Sequence, residues 1–284
     1  MRSWLPCGLA LLGLSAVPST AWAWGFATHR AVVEVAIETL PDPLRGYFRA
    51  HRGELTDWVV EPDTVLKERY GRSETVKHFI DLDLYGTPPF AALPRSYRVA
   101  VHRFGRSVVE ERGIVPWTIE QKHARLAREL RAGEWRAALR TAAYAGHYVA
   151  DATMPLHAVS DYDGQKSGSP GVHKAVEHDL VDARLDDYRR AMQATMKPAS
   201  AASYGSNRIF EALTESFTAA PQLLAADREA RTAGPLGSTA YLERLNRKTE
   251  KLIDARLARA VELLGALWLS AWDEAGTPLP PRLQ

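Results

Sequence analysis

Glu134-Trp-Arg-Ala-Ala-Leu-Arg-Thr-Ala-Ala-Tyr-Ala-Gly-His147-Tyr-Val-Ala-Asp151-Ala-Thr-Met-Pro155-Leu-His157 is the stretch that decides the fold. Its first part is Ala-rich and amphipathic, which predicts a helix over 134–150, with Pro155 marking its end. His147 and Asp151 stand four residues apart, so on that helix they project from one face at ligand-to-ligand distance. His157 follows just past Pro155, where a kinked chain turns it toward the same place. A helix face carrying an imidazole and a carboxylate needs partners from neighbouring elements. The chain therefore reads as a mainly-α bundle with its chemistry between helices.

Working outward, helical spacing recurs almost everywhere. Thr28 is a plausible N-cap for the run Ala31, Val32, Val35, Ala36 and Leu40, which Pro41 and Pro43 stop. Residues 97–112 and 118–132 repeat the pattern, with Gly113 and Pro116 between them. Gly164 to Gly171 is a loop, and a helix is expected to resume at Val172 and run to about Met192. Residues 206–232 and the long run from Tyr241 to Asp273 complete the set. No alternating strand pattern and no internal repeat is found, while 198–206 and the tail 276–284 read as loop and flexible end.

At 284 residues, with 46% hydrophobic and 25% charged content, the composition is that of a globular chain with a substantial core. A formal net charge of +2 advertises no overall basic field for nucleic acid. Met1 to Ala23 reads as a secretory signal peptide: a lone Arg2, an apolar run through Leu14, Pro18, and the cleavage pair Ala21 and Ala23. The expected destination is a periplasm or the outside medium, and the expected mature protein is one domain over 24–284. Its only cysteine, Cys7, lies in the leader, so neither a disulfide nor a thiolate ligand is expected. After residue 24 no apolar stretch reaches the ~20 residues of a membrane span.

Further ligand-type residues fall at telling intervals. His173 and Glu177 are again one helical turn apart, Asp63 precedes His78-Phe-Ile-Asp81, and Trp24 lies five residues ahead of His29. Cleavage before Trp24 leaves a free α-amine, which like imidazole coordinates borderline-soft metals. Taken singly, each pair has a plain alternative as a surface ion pair or a cap. Taken together, five of the nine histidines fall at ligand spacing. His51, His102, His123 and His178 lack such company and read as surface or capping residues.

The combination of Trp24, His-Phe-Ile-Asp, His-x3-Asp-x5-His and a later His-x3-acid resembles the zinc-dependent phospholipase C and single-strand-specific nuclease superfamily. The resemblance spans Trp24 to about Asp179. It implies a mainly-α fold with three Zn2+ ions. The Trp24 amino and carbonyl groups, His29 and Asp151 would hold one. Asp63, His78, His147 and the shared Asp151 would hold its partner, and His157, His173 and Glu177 the third. Such a cluster suits hydrolysis of a phosphate ester by metal-activated water, with Asp63 the candidate for orienting or deprotonating it.

Glu177 in place of an aspartate, and the short His157–His173 segment without a Gly-Gly-Asn insertion, resemble the phospholipase side. The Trp24–His29 spacing and His-Phe-Ile-Asp are closer to the nucleases. The expected substrate is a glycerophospholipid, met by peripheral contact with a membrane surface. Single-stranded nucleic acid is the alternative, and a non-catalytic zinc-binding exported protein the third reading. Phe26, Tyr85, Phe90, Tyr148 and Tyr162 lie near the ligands in sequence; Phe26 and Tyr148 read as core. Lys67, Arg69 and Arg72 read as a solvated basic turn.

Overall fold

The computed structural model describes residues 24–282, so the leader expected at 1–23 and the last two residues lie outside the described region. Helices α1 (Phe26–Thr39), α2 (Leu44–Ala50) and α3 (Arg52–Trp58) are followed by a π-helical turn, Pro62–Leu66. Two short pieces, α4 (Lys67–Tyr70) and α5 (Arg72–Thr75), lead to α6 (Tyr97–Phe104) and α7 (Arg106–Glu111). Then come α8 (Val115–Arg131), α9 (Trp135–Thr153) and α10 (Val172–Lys174), which runs into a second π-helical segment, Ala175–Val181. The chain closes with α11 (Leu185–Thr195), α12 (Ser206–Ala230) and α13 (Thr239–Glu274). Among the described residues there is no strand, and no helix is long and apolar enough to cross a membrane.

Small side chains set the centre of the bundle. On α9 Ala138, Ala142, Ala145, Gly146 and Ala152 are buried, so neighbouring helices approach its axis closely. A Cβ on Gly146 would lie 3.0 Å from Val33 and 3.2 Å from Leu264, which shows how tightly α1 and α13 wedge against α9 beside His147. The α13 apolar stripe of Leu245, Ile253, Leu257, Ala260, Leu264 and Leu267 is wholly buried, and Trp268 Nε1 donates to the Ala142 carbonyl at 3.1 Å. Each fully buried leucine of that stripe contributes about 1.5–3 kcal/mol of transfer free energy.

Several boundaries differ from the sequence reading, each for a physical reason. Helix α1 begins at Phe26, and Thr28 is not its cap. The cap comes from a distant residue: Asp182 Oδ1 accepts from Thr28 N at 3.2 Å and Thr28 Oγ1 at 2.7 Å. A Cβ on Gly25 would overlap that carboxylate, so only glycine lets the two segments meet. The run expected over 97–112 breaks at Gly105, whose φ of 85° turns the chain. Val172 to Met192 is not one helix but α10, the π segment, a 3-10 turn and α11. The tail does not leave the bundle at once, because Trp272 Nε1 donates to the Pro278 carbonyl at 2.9 Å.

Asp182 thus ties the start of α1 to the segment that carries Glu177. Asp182→Ala is expected to cost about 1–2 kcal/mol, as loss of a helix cap does, whereas Asp182→Asn keeps an acceptor and most of the stability. Thermal unfolding of both variants checks this; equal melting temperatures for Asp182→Ala and the parent would refute it.

Candidate metal centre

Seven elements, some adjoining and some far apart in the chain, deliver the ligand-type side chains to one place. Helix α1 carries His29, α9 carries His147 and Asp151, and the turn Pro155–Ala158 carries His157. Helix α10 supplies His173, while the two π-helical segments supply Asp63 and Glu177. His78 comes from the loop after α5. A π turn widens the helix by one residue and re-aims a side chain, and such turns occur frequently at functional sites.

Three groups form, each with its ligand atoms within 4.8 Å of one another: His29, His147 and Asp151; Asp63, His78 and His147; and His157, His173 and Glu177. Within the first, His29 Nε2 lies 3.7 Å from Asp151 Oδ1, and the His29 and His147 rings stack at 4.2 Å. In the second, His78 Nδ1 is 3.5 Å from Asp63 Oδ1 and 3.0 Å from His147 Nε2. Asp151 joins the two, its Oδ2 lying 2.9 Å from His78 Nδ1 and 3.4 Å from His147 Nε2. In the third, His173 Nε2 is 2.8 Å from Glu177 Oε1 and 3.2 Å from His157 Nε2. Tetrahedral coordination with bonds of about 2 Å places ligand atoms about 3.3 Å apart, which is the spacing found here.

Hydrogen bonding outside the cluster orients the rings. His147 Nδ1 donates to the Val59 carbonyl at 2.8 Å, His157 Nδ1 to the His78 carbonyl at 2.8 Å, and His173 Nδ1 to the Tyr162 carbonyl at 3.0 Å. With Nδ1–H committed outward, each Nε2 turns a lone pair inward, as a metal-ligating imidazole does. Both His29 nitrogens, Asp63 Oδ2, Asp151 Oδ1 and Glu177 Oε2 are buried without any hydrogen-bond partner. Unpartnered buried acceptors are costly, and their convergence is what a bound cation would relieve. The residues present therefore fit a metal ion.

The electrostatics point the same way. Burial drives His29, His78, His147 and His157 well below the usual imidazole pKa, so they stand neutral. Burial, then the neighbouring Asp63 charge, raises Asp151 well above the carboxylate range. Burial likewise lifts Glu177 to about 7 against the opposing pull of His173. At His173 burial pushes down, but the Glu177 carboxylate outweighs it and the pKa rises.

The structure also assigns positions that the sequence reading missed or misjudged. Lys67 is no solvated turn: its Nζ lies 2.5 Å from Asp63 Oδ1 at the edge of the cluster. Glu74 is fully buried, accepts from the Tyr148 hydroxyl, pairs with Lys77 at 2.6 Å, and stands 3.8 Å from His78 Nε2. Asp163 holds α10 in place by accepting from His173 N at 3.1 Å and Gly171 N at 3.0 Å. Only the i,i+4 spacing of Glu74 and His78 gave a sequence signal. Trp24 is fully buried at the head of α1, one turn before His29.

Of the nearby aromatics, Tyr85, Phe90 and Tyr148 are buried in the core; Tyr162 is exposed, 6.0 Å from the His173 ring. His123 is not a surface residue, since it stacks on Tyr204 at 4.4 Å and contacts Ser270 Oγ at 3.1 Å. His51 pairs with Glu54 along its helix face at 2.8 Å. No family model matches this chain, and no curated protein matches its sequence.

Because His78 Nε2 is buried, unpartnered and faces Glu74, Glu74 is expected to orient that ring once its Nδ1 ligates. Glu74→Gln should weaken divalent-metal binding about 10–100-fold, measured by competition with a chromogenic chelator. Unchanged affinity would reduce Glu74 to a packing residue.

Proposed function

We propose that this chain is a zinc-dependent phosphodiesterase. The observation that carries the reading is the sharing of Asp151 and His147 between two adjacent ligand groups, with a third group beside them. A structural zinc site closes four protein ligands round one ion, whereas adjacent ions sharing a carboxylate suit in-line displacement at phosphorus. When bound, such ions lower the pKa of a water toward neutrality and neutralise phosphate oxygens.

The side chains then have distinct tasks. Asp63 stands at the edge of the cluster beside Lys67, and it would orient or deprotonate the attacking water. Lys67, held beside Asp63, places a positive charge where a phosphate oxygen of the substrate would arrive. Asp151 would be shared by two ions, His29 serving one and Asp63, His78 and His147 the other, while His157, His173 and Glu177 would hold a third. The α-amine and carbonyl of Trp24 complete the first group once a leader ending at Ala23 is removed, which makes export a condition of activity.

The substrate we favour is a glycerophospholipid, cleaved to diacylglycerol and a phosphorylated head group. Exposed Val65 and Tyr70 flank Lys67 on the segment that carries Asp63, and exposed Tyr162 sits beside His173. Apolar and aromatic side chains ringing a buried charged centre suit contact with a lipid surface. Single-stranded nucleic acid is the second reading, and the guanidinium-lined groove along α9 speaks for it.

Zinc-loaded protein beginning at Trp24 is expected to release diacylglycerol from mixed-phospholipid vesicles, and a chelator should abolish the release. Absence of release from protein shown to hold three zinc ions would turn the reading to nucleic acid. A chain with one extra residue before Trp24 is expected to lose one zinc and most activity. Full zinc content and activity in that chain would exclude the amine ligand.

A further inference from the structure

A cavity of about 440 Å³ opens beside the N-terminal half of α9, lined by Trp58, Arg125, Arg136, Arg140, Thr141 and Tyr144. None of these is among the metal-type ligands. The Arg140 guanidinium lies 4.7 Å from the centre of the Trp58 ring, and that of Arg136 lies 6.0 Å from it. A guanidinium laid on an aromatic face keeps its in-plane N–H groups at the edge, held in a fixed fork that matches oxyanions. Among the described residues, the side-chain contacts of Arg136 and Arg140 with carboxylates are ion pairs.

Each cation has one carboxylate beside it. Glu54 approaches Arg136 to 3.4 Å and Glu61 approaches Arg140 to 3.8 Å, ion pairs that occupy one edge of each guanidinium. Glu129 engages only Arg125 Nε, at 2.6 Å. Lys122 Nζ sits 5.2 Å from the Tyr144 ring and 5.6 Å from the Tyr148 ring. Thr141 also lines the cavity, and Trp58 and Tyr144 supply apolar walls.

We infer that this cavity is a second binding site, separate from the metal centre, for the phosphate group of an organic phosphoester. Three arginines from α8 and α9 line this one cavity, and its volume falls in the range that holds a small organic molecule. The site also has a fixed relation to the metal centre. Arg140, Tyr144, His147 and Asp151 follow one another at i, i+4, i+7 and i+11, a single stripe along α9. Seven residues of helix separate Arg140 from His147, about 10 Å along the axis. The hydrogen bond from the Tyr144 hydroxyl to Glu61 stands between the two places.

The test uses the zinc-loaded chain and calorimetric titration with phenylphosphonate, which carries the anion and a ring but no cleavable ester. Two classes of site are expected in the parent, one at the metals and one in the cavity. Arg136→Gln/Arg140→Gln should weaken the cavity class about tenfold or more while zinc content and the metal class stay unchanged. Both residues are half or more exposed, so folding is not at stake. Identical binding by that variant would overturn the site. Inorganic phosphate is expected to bind the cavity more weakly than phenylphosphonate; equal affinity would overturn the place assigned to the organic group. Arg136→Lys/Arg140→Lys should bind weakly despite its charge, and full retention would overturn the stacked-guanidinium geometry.

Discussion

Inward-facing lone pairs are the constraint on which the rest of this structure depends. His157 and His173 have both given their Nδ1–H to backbone carbonyls, so their Nε2 atoms meet at 3.2 Å with a Glu177 oxygen alongside. Two acceptors and a carboxylate cannot share that space unless something positive lies among them. A proton on His173 satisfies one contact; a divalent ion satisfies all three at once. At the neighbouring groups His147 Nε2 and an Asp151 oxygen both face His78 Nδ1, at 3.0 and 2.9 Å, and one N–H can serve only one of them fully. Assembling the bundle forces these groups together, so any cation they hold would share one free-energy balance with folding.

That balance explains features that look wasteful in isolation. Two π-helical turns sit where Asp63 and Glu177 must be re-aimed. Helix α1 gives up a local cap and takes Asp182 instead, which fixes His29 relative to the segment bearing Glu177. Gly146 permits α1 and α13 to close on α9 beside His147, so that residue and Asp151 are wholly shut from solvent. A buried carboxylate in that position is tolerable only if its charge is met.

Much of this was legible in the residues, and the reasons for what was not are specific. Long helices such as α8, α9, α12 and α13 announced themselves because fifteen or more residues of periodic burial outweigh local exceptions. The histidine and acid pairs were legible because one helical turn brings i and i+4 together. The short pieces between residues 44 and 75 were missed, since four to seven residues carry too little periodicity. Lys67 read as solvated because a basic run usually is. Its position depends on the π turn before it, and a widened turn leaves no mark in hydrophobic spacing. Asp182 could not be recognised as the cap of a helix 154 residues away.

The arrangement along α9 carries the argument one step further. One stripe of that helix faces the metal-type ligands at its C-terminal half and the arginine-lined cavity at its N-terminal half. The two are not equivalent environments. Around His147 the polar groups are buried and short of positive charge, so they demand cations. Around Arg140 the guanidinium groups are exposed, each beside a single carboxylate, a setting that suits an anion. Opposite deficits on a single rigid element, about 10 Å apart, give the helix a polarity of chemistry that its own dipole does not supply. Tyr144 and Glu61 stand at the junction, their hydrogen bond joining the turn before His147 to the turn before Asp63. That hydrogen bond links the rim of the cavity to the segment that carries Asp63.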